Sequence, residues 1–364
     1  MADVKATASR WASLDRPRAI GLVLILIALL IAASWGAAIS ASDVAPVAAP
    51  GTAAAHPPNN DLILYETVSE RVAAGEDYYV AAADELRRGN YPLKPFVAFR
   101  LPTLAVAAAW LGRPGLLILQ WGLFAAMLAA WWARLDGQFA DRRRRVSAVM
   151  LAAAGVAVAL TGRYLYLHEV WAGALIALSL ALHRPGRWGW SFAAAALALA
   201  IRELSLPYAL LMAALALWRR DWREFGGWAA ISLLFGAVLM WHQAAVAAVV
   251  VPSDPASPGW TALGGWAGML RTFYLAGPLR WLPAVVAAPI IILALFGWAS
   301  WKSTTGLAAT LMYLGYGLAF MLFGRADNFY WGLMVAPALL IGLAFLPRAF
   351  SDLASTIKLR TAGQ

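Results

Sequence analysis

Residues 59–103 bring together a dense set of polar side chains: Asp61, Tyr65, Glu66, Glu70, Glu76, Asp77, Tyr78, Tyr79, Tyr91 and Arg100. A carboxylate here can take the proton of an attacking hydroxyl. An arginine can hold a phosphate through charge-assisted hydrogen bonds. The segment lies directly behind the first long apolar run of the chain. Outside the hydrocarbon charge costs little, so chemistry on a lipid head group is open to these residues. Asp61 and Asp77 are the candidate bases: Asp61 comes soonest after the apolar run, and Asp77 is better spaced to Arg100. Each also precedes a helical pattern, and helix capping is the plainer role for a single Asp in that place. Glu66, Tyr78, Tyr79 and Arg100 are the substrate-binding candidates of this segment.

Later loops add Arg163, His168, Glu169, Arg202, Arg325, Asp327, Asn328 and Tyr330. Arg100, Arg163, His168, Arg202 and Arg325 are more cations than one phosphate needs, and an arginine near a helix end commonly reaches for lipid head groups. His168 and Glu169 are adjacent and point different ways on a helix, which makes a weak metal signal. Polar contact with substrate is the preferred reading, no cofactor is assigned, and a divalent metal stays open. Arg202 with Glu203 reads equally as an ion pair or as part of a cavity. Asp327, Asn328 and Tyr330 supply donors and acceptors beside aromatic faces that stack on sugar rings. His242 reads as a packing residue.

The elements that position these groups follow from composition. Hydrophobic residues make up 62% of the 364 and charged residues 13%, too apolar for a soluble globule of this size. The net charge of +10 comes mainly from basic residues between apolar runs, where they read as topology signals, so nucleic-acid binding is not expected. The absence of cysteine excludes disulfides and thiolate chemistry. Residues 19–39 are long enough for an uncleaved anchor, although 37–41 offer small residues resembling a cleavage site.

Further spanning runs are expected at 115–133, 146–160, 170–182, 190–201, 205–218, 226–248, 281–301, 304–323 and 331–347. With the anchor this predicts an all-α polytopic protein of roughly ten crossings. The expected organisation is a cytoplasmic tail over 1–18, the first spanning helix over 19–39, an outer loop with juxtamembrane helices over 40–113, the bundle over 114–348 and a cytoplasmic tail over 349–364. Residues 41–58, rich in Ala and Pro, read as an extended lead. With the N-terminus cytoplasmic, Arg134, Arg142–Arg145, Arg184, Arg187, Arg219, Arg220, Arg223, Lys302 and Arg348 all fall inside. That count requires 101–111, fenced by Arg100 and Arg113, to lie along the interface instead of crossing. Two short surface helices are expected within the loop, over 62–73 and 80–88, the second ending at Gly89.

The order Asp61, Tyr65, Gly75, Tyr78, then Asp77, Tyr79, Gly89, Tyr91-Pro92, then Phe99-Arg100-Leu101-Pro102-Thr103-Leu104 resembles the first outer loop of GT-C membrane glycosyltransferases. This chain departs from the family's Gly-x-x-Pro-Tyr-like turn with Gly75-Glu76-Asp77-Tyr78 and Gly89-Asn90-Tyr91-Pro92. At the Arg-x-Pro-Pro-Leu-like entry it has Arg100-Leu101-Pro102-Thr103. The resemblance covers about the first third of the chain. It implies an inverting enzyme of the mannosyl- or arabinosyltransferase kind in the cytoplasmic (inner) membrane. Such an enzyme takes sugar from a polyprenyl-phosphate donor to a glycolipid, polysaccharide or protein acceptor at the outer face. The rival expectation is a transporter or lipid flippase for a lipid-linked substrate, although no clear repeat of two halves is visible.

Overall fold

The computed structural model describes residues 8–42, 60–139 and 141–358. Regular structure among them is helical, apart from one isolated bridge between Lys94 and Ala256. Most of the lead expected over 41–58, the first residues of the N-terminal tail and the last of the C-terminal tail lie outside the described residues.

A 27-residue helix, α1 (Arg16–Ser42), precedes the paired helices α2 (Asn60–Ala73) and α3 (Tyr78–Arg88). Then come α4 (Thr103–Arg134), α5 (Arg142–Val156), α6 (His168–Leu182), α7 (Gly189–Ile201), α8 (Leu206–Trp218) and α9 (Trp222–Val249). They are followed by α10 (Gly265–Leu275), α11 (Ala284–Ser300), α12 (Thr304–Leu322), α13 (Ala336–Leu339) and α14 (Leu346–Lys358). Five helical stretches, Arg16–Ile39, Phe96–Arg134, Trp222–Val249, Thr304–Leu322 and Ala336–Lys358, are long and apolar enough to cross a membrane. Their outward faces are apolar: Ile31, Trp35, Ile118, Leu233 and Met240 are all exposed. Surface of this kind is stable against lipid and costly against water, and the chain is an α-helical membrane protein.

α4 breaks at Gly112, whose φ of 63° and ψ of 172° suit a residue without Cβ. The break separates 103–111 from the long apolar stretch and falls just before the expected start of that run at Gly115. Pro114 has no N–H to lose in the first turn after it.

α6, whose residues are almost all buried, packs against α4, α7, α12 and α13. The run at 331–347, expected as one spanning helix, is instead a 3₁₀ stretch Ala326–Met334, then α13, then a second 3₁₀ stretch Leu340–Phe345. Other backbones press directly against this segment. A Cβ on Gly173 would stand 2.0 Å from the Leu333 carbonyl, one on Gly155 2.6 Å from that of Ala336, and one on Gly297 1.9 Å from that of Gly342. Side chains answer some of the carbonyls of this segment. Trp298 Nε1 donates to Leu339 O at 3.0 Å and Tyr313 Oη to Val335 O at 3.3 Å. Gly297→Ala is therefore expected to cost about 1–3 kcal/mol or more through overpacking, read by thermal unfolding in detergent. Gly236→Ala, in α9 with open space around it, is expected to be neutral or to stabilise by up to about 1 kcal/mol.

The two ends of the bundle differ. At one, Ser9 N donates to Asp352 Oδ2 (2.8 Å), Arg10 to Trp301 O (3.4 Å) and Trp301 Nε1 to Gln138 (2.9 Å), so the N-terminal residues meet the loops at Gln138 and Trp301 and the last helix there. At the other, Leu93 N donates to Pro255 O (2.9 Å), Gly324 N to Trp260 O (2.7 Å) and Tyr316 Oη to Leu204 O (2.6 Å). These are the loops expected on the outer face, and the polar candidates lie among them.

Candidate functional site

α2 and α3 form a hairpin over this second end. Gly75, at φ 93°, makes the turn between them, and Leu64, Val68, Tyr79, Ala82, Leu86 and Phe99 fill a small core beneath. Arg71 spans the pair, bonding Glu76, Glu85 (2.9 Å) and Asp84 (3.1 Å). Asp77 is exposed and caps α3, accepting from Tyr79 N (2.9 Å) and Val80 N (3.1 Å). Asp61 is not the cap expected from the sequence: it sits inside the first turn of α2, and its Oδ1 accepts from Tyr91 Oη at 2.7 Å. One turn on, Tyr65 shares its face.

Arg100 is the centre of the site. The Tyr78 hydroxyl donates to its carbonyl at 2.7 Å, fixing the backbone just before α4. Its guanidinium lies 5.7 Å from the Tyr65 ring centroid, within cation–π range. Nη2 stands 3.4 Å from Tyr330 Oη and 3.8 Å from Glu169 Oε1, while Nε is buried without a hydrogen-bond partner. Asn328, itself buried, reaches Tyr330 Oη at 3.4 Å.

Glu169 is fully buried in the first turn of α6, where the positive end of the helix dipole favours a carboxylate. Its Oε1 accepts from Arg202 Nε at 2.7 Å and its Oε2 has no partner. Arg202 ends α7 in extended backbone before the turn into α8, and also bonds Glu203. It is 1% exposed, so a charge with no acceptor there would be very costly. His168 is buried beside them, its ring edge-on to Tyr65 at 5.3 Å, with neither nitrogen in hydrogen-bond geometry. Asp61, Tyr65, Glu169, Arg202 and Tyr330 thus all face Arg100 electrostatically. Burial pushes the Tyr65, Tyr91 and Tyr330 hydroxyls above the ordinary phenol range, Arg100 opposing the shift at Tyr65 and Tyr330. They stay protonated and able to donate.

Two spaces open beside this group. A narrow cleft of about 20 Å³, room for about one water, is lined by Tyr65, Tyr78, Arg100, Tyr166 and His168 among apolar residues. An apolar groove of about 220 Å³ runs between Leu101, Pro102 and Thr103 on one wall, Leu199 and Ala200 on the next and Leu234 and Trp241 of α9. Its first two walls adjoin Arg100 and Arg202 in the chain.

Other candidates stand apart from Arg100. Tyr79 is buried and bonds His242 Nδ1 at 2.9 Å, a packing role for both; burial pushes its hydroxyl up to about 12. Glu66 pairs with Arg113 at 2.7 Å. Arg163 is exposed, its backbone N donating to Thr161 Oγ1 at 3.4 Å. Arg325 pairs with exposed Asp327 at 3.2 Å and donates to Gly259 O at 3.3 Å, on the rim. Among the described residues no three His, Asp or Glu side chains assemble as a metal ligand set, so no residues are assigned to a metal. Tyr65, Tyr91 and Tyr166 were not among the binding candidates. Tyr65 and Tyr91 both stand in the motif order of the first loop, and Tyr65 is also spaced four from Asp61.

Arg87 ties the hairpin to the loop after α9. It donates to both Asp254 oxygens at 2.8 Å and to Val249 O at 2.7 Å, and holds the Asp254 carboxyl down at about 2. A lowered folded-state pKa stabilises above the ordinary carboxylate range, and the contribution fades as pH falls through about 2. Asp254→Asn is expected to lower stability by about 1.5–3 kcal/mol at pH 7, the loss of charged hydrogen bonds. In thermal unfolding the gap between variant and wild type narrows below pH 4.

No protein family matches the chain, and neither the curated proteins nor the solved structures hold a match.

Proposed function

We propose that the chain is an inverting GT-C-type glycosyltransferase of the cytoplasmic membrane. In this reading it crosses roughly ten times with both termini cytoplasmic, short helices being tilted or shielded by neighbours. It moves sugar from a polyprenyl-phosphate donor to a glycolipid, polysaccharide or protein acceptor at the outer face. The observation that carries the reading is the meeting of Asp61, Tyr65, His168, Glu169 and Arg202 around Arg100, whose side chain is only 11% exposed, next to an apolar groove. An anionic head on an apolar chain matches that pairing of cation and groove.

The step needs few groups. The acceptor oxygen attacks the anomeric carbon from the face opposite the lipid phosphate, and the new C–O bond forms as the bond to the phosphate oxygen breaks. Asp61 takes the acceptor's proton, the Tyr91 hydroxyl holding its carboxylate in place. The phosphate leaves as an anion and needs a cation more than an acid; Arg100, with Nε free of partners, supplies it. Arg202, answered by Glu169 and Glu203, positions the cluster.

The second reading is a transporter or flippase for a lipid-linked substrate, favoured by the charges buried within the bundle at Glu169 and Arg202. Proteoliposomes given radiolabelled polyprenyl-phosphate sugars and a membrane extract separate the two. Label transferred to an acceptor supports the enzyme, whereas label crossing the bilayer with the donor intact overturns it.

A further inference from the structure

The end of the bundle opposite the candidate site holds a second buried polar group. Glu224, fully buried, accepts from Arg219 Nη2 at 2.9 Å and Trp228 Nε1 at 3.2 Å and meets His183 Nε2 at 2.8 Å, so its charge is answered. Arg134, last residue of α4, is not answered. Its Nε and Nη2 are buried and have no hydrogen-bond partner. The groups facing it electrostatically are a second cation, Arg184, and the Tyr208 hydroxyl. That hydroxyl is already engaged with Ser179 at 2.9 Å.

A guanidinium edge withdrawn from water with no acceptor is costly, and a neighbouring guanidinium adds repulsion. The C-terminal end of α4 offsets part of the charge but supplies no acceptor to these two nitrogens. An anion between Arg134 and Arg184 would remove both penalties. Its source is indicated by Trp190, Trp218 and Trp222, exposed by 80%, 72% and 63% at the start of α7, the end of α8 and the start of α9. Exposed indoles grouped at one end of a bundle mark the head-group level of the bilayer, where lipid phosphates lie.

We propose that Arg134 and Arg184 hold the phosphate of an anionic phospholipid at this end of the bundle, a site separate from the one at Arg100 and independent of glycosyl transfer. Native mass spectrometry of the full chain, released from micelles doped with phosphatidylglycerol, phosphatidylcholine or inorganic phosphate, tests it. Retention of phosphatidylglycerol is expected, weakened at least about tenfold by Arg134→Gln, the worth of one charged hydrogen bond. Arg184→Gln, at an exposed position where folding is not at stake, is expected to weaken it in the same direction. Unchanged retention in Arg184→Gln, or equal retention of phosphatidylcholine, overturns the proposal. Inorganic phosphate displacing the lipid from wild type at equal concentration would show a free-anion site and also overturn it.

Discussion

Asp61→Asn is expected to lower sugar transfer by about 10²–10⁴-fold, the usual worth of a positioned general base. The amide is isosteric and its oxygen still accepts from Tyr91, so α2 and the hairpin keep their packing. Loss of rate without loss of folded protein then isolates proton transfer from structure. Asp77→Asn is the matched control. Its carboxylate caps α3, and Asn caps a helix about as well as Asp. Transfer and melting temperature should therefore stay close to wild type. Full activity in Asp61→Asn would remove Asp61 from the mechanism.

Arg202→Met is expected to cost about 3–5 kcal/mol, because it strands the carboxylate of Glu169, which no solvent reaches. Arg100, at 3.8 Å, is too far for a hydrogen bond as placed and would be drawn off its station to compensate. Adding Glu169→Gln should restore most of the stability, since both buried charges then go together, without restoring transfer if Arg100 is displaced. Thermal unfolding of the two single variants and the double variant measures the coupling. Additive effects would mean that the pair contributes little to the fold.

Run length and charge made α1, α9 and α12 legible, and the fence of Arg100 and Arg113 set 101–111 apart from the run at 115–133, between which α4 breaks at Gly112. The broken segment after Gly324 was not legible. Hydropathy reports that 331–347 is apolar, but not that Gly155, Gly173 and Gly297 let other backbones press against it. α10 was passed over because it lies in a loop interval, although Met269, Leu270 and Phe273 recur at helical spacing. Among the site residues, Arg100, His168, Glu169, Arg202 and Tyr330 stand out by type. Their convergence depends on four chain segments meeting, which spacing does not encode. Asp61 and Asp77 both precede helical patterns, so composition could not separate the cap from the residue facing Arg100. Their places in the helices do so: Asp61 is the second residue of α2, Asp77 the residue just before α3.

The sidedness of the cluster at Arg100 can be measured directly, since the chain has no cysteine of its own. Asp77→Cys, Asp327→Cys, Arg143→Cys and Lys302→Cys each place a single thiol at an exposed position. In intact cells a membrane-impermeant maleimide is expected to label the first two, and the last two only after the membrane is opened. Labelling of positions 77 and 327 from opposite sides would contradict a single non-cytosolic site.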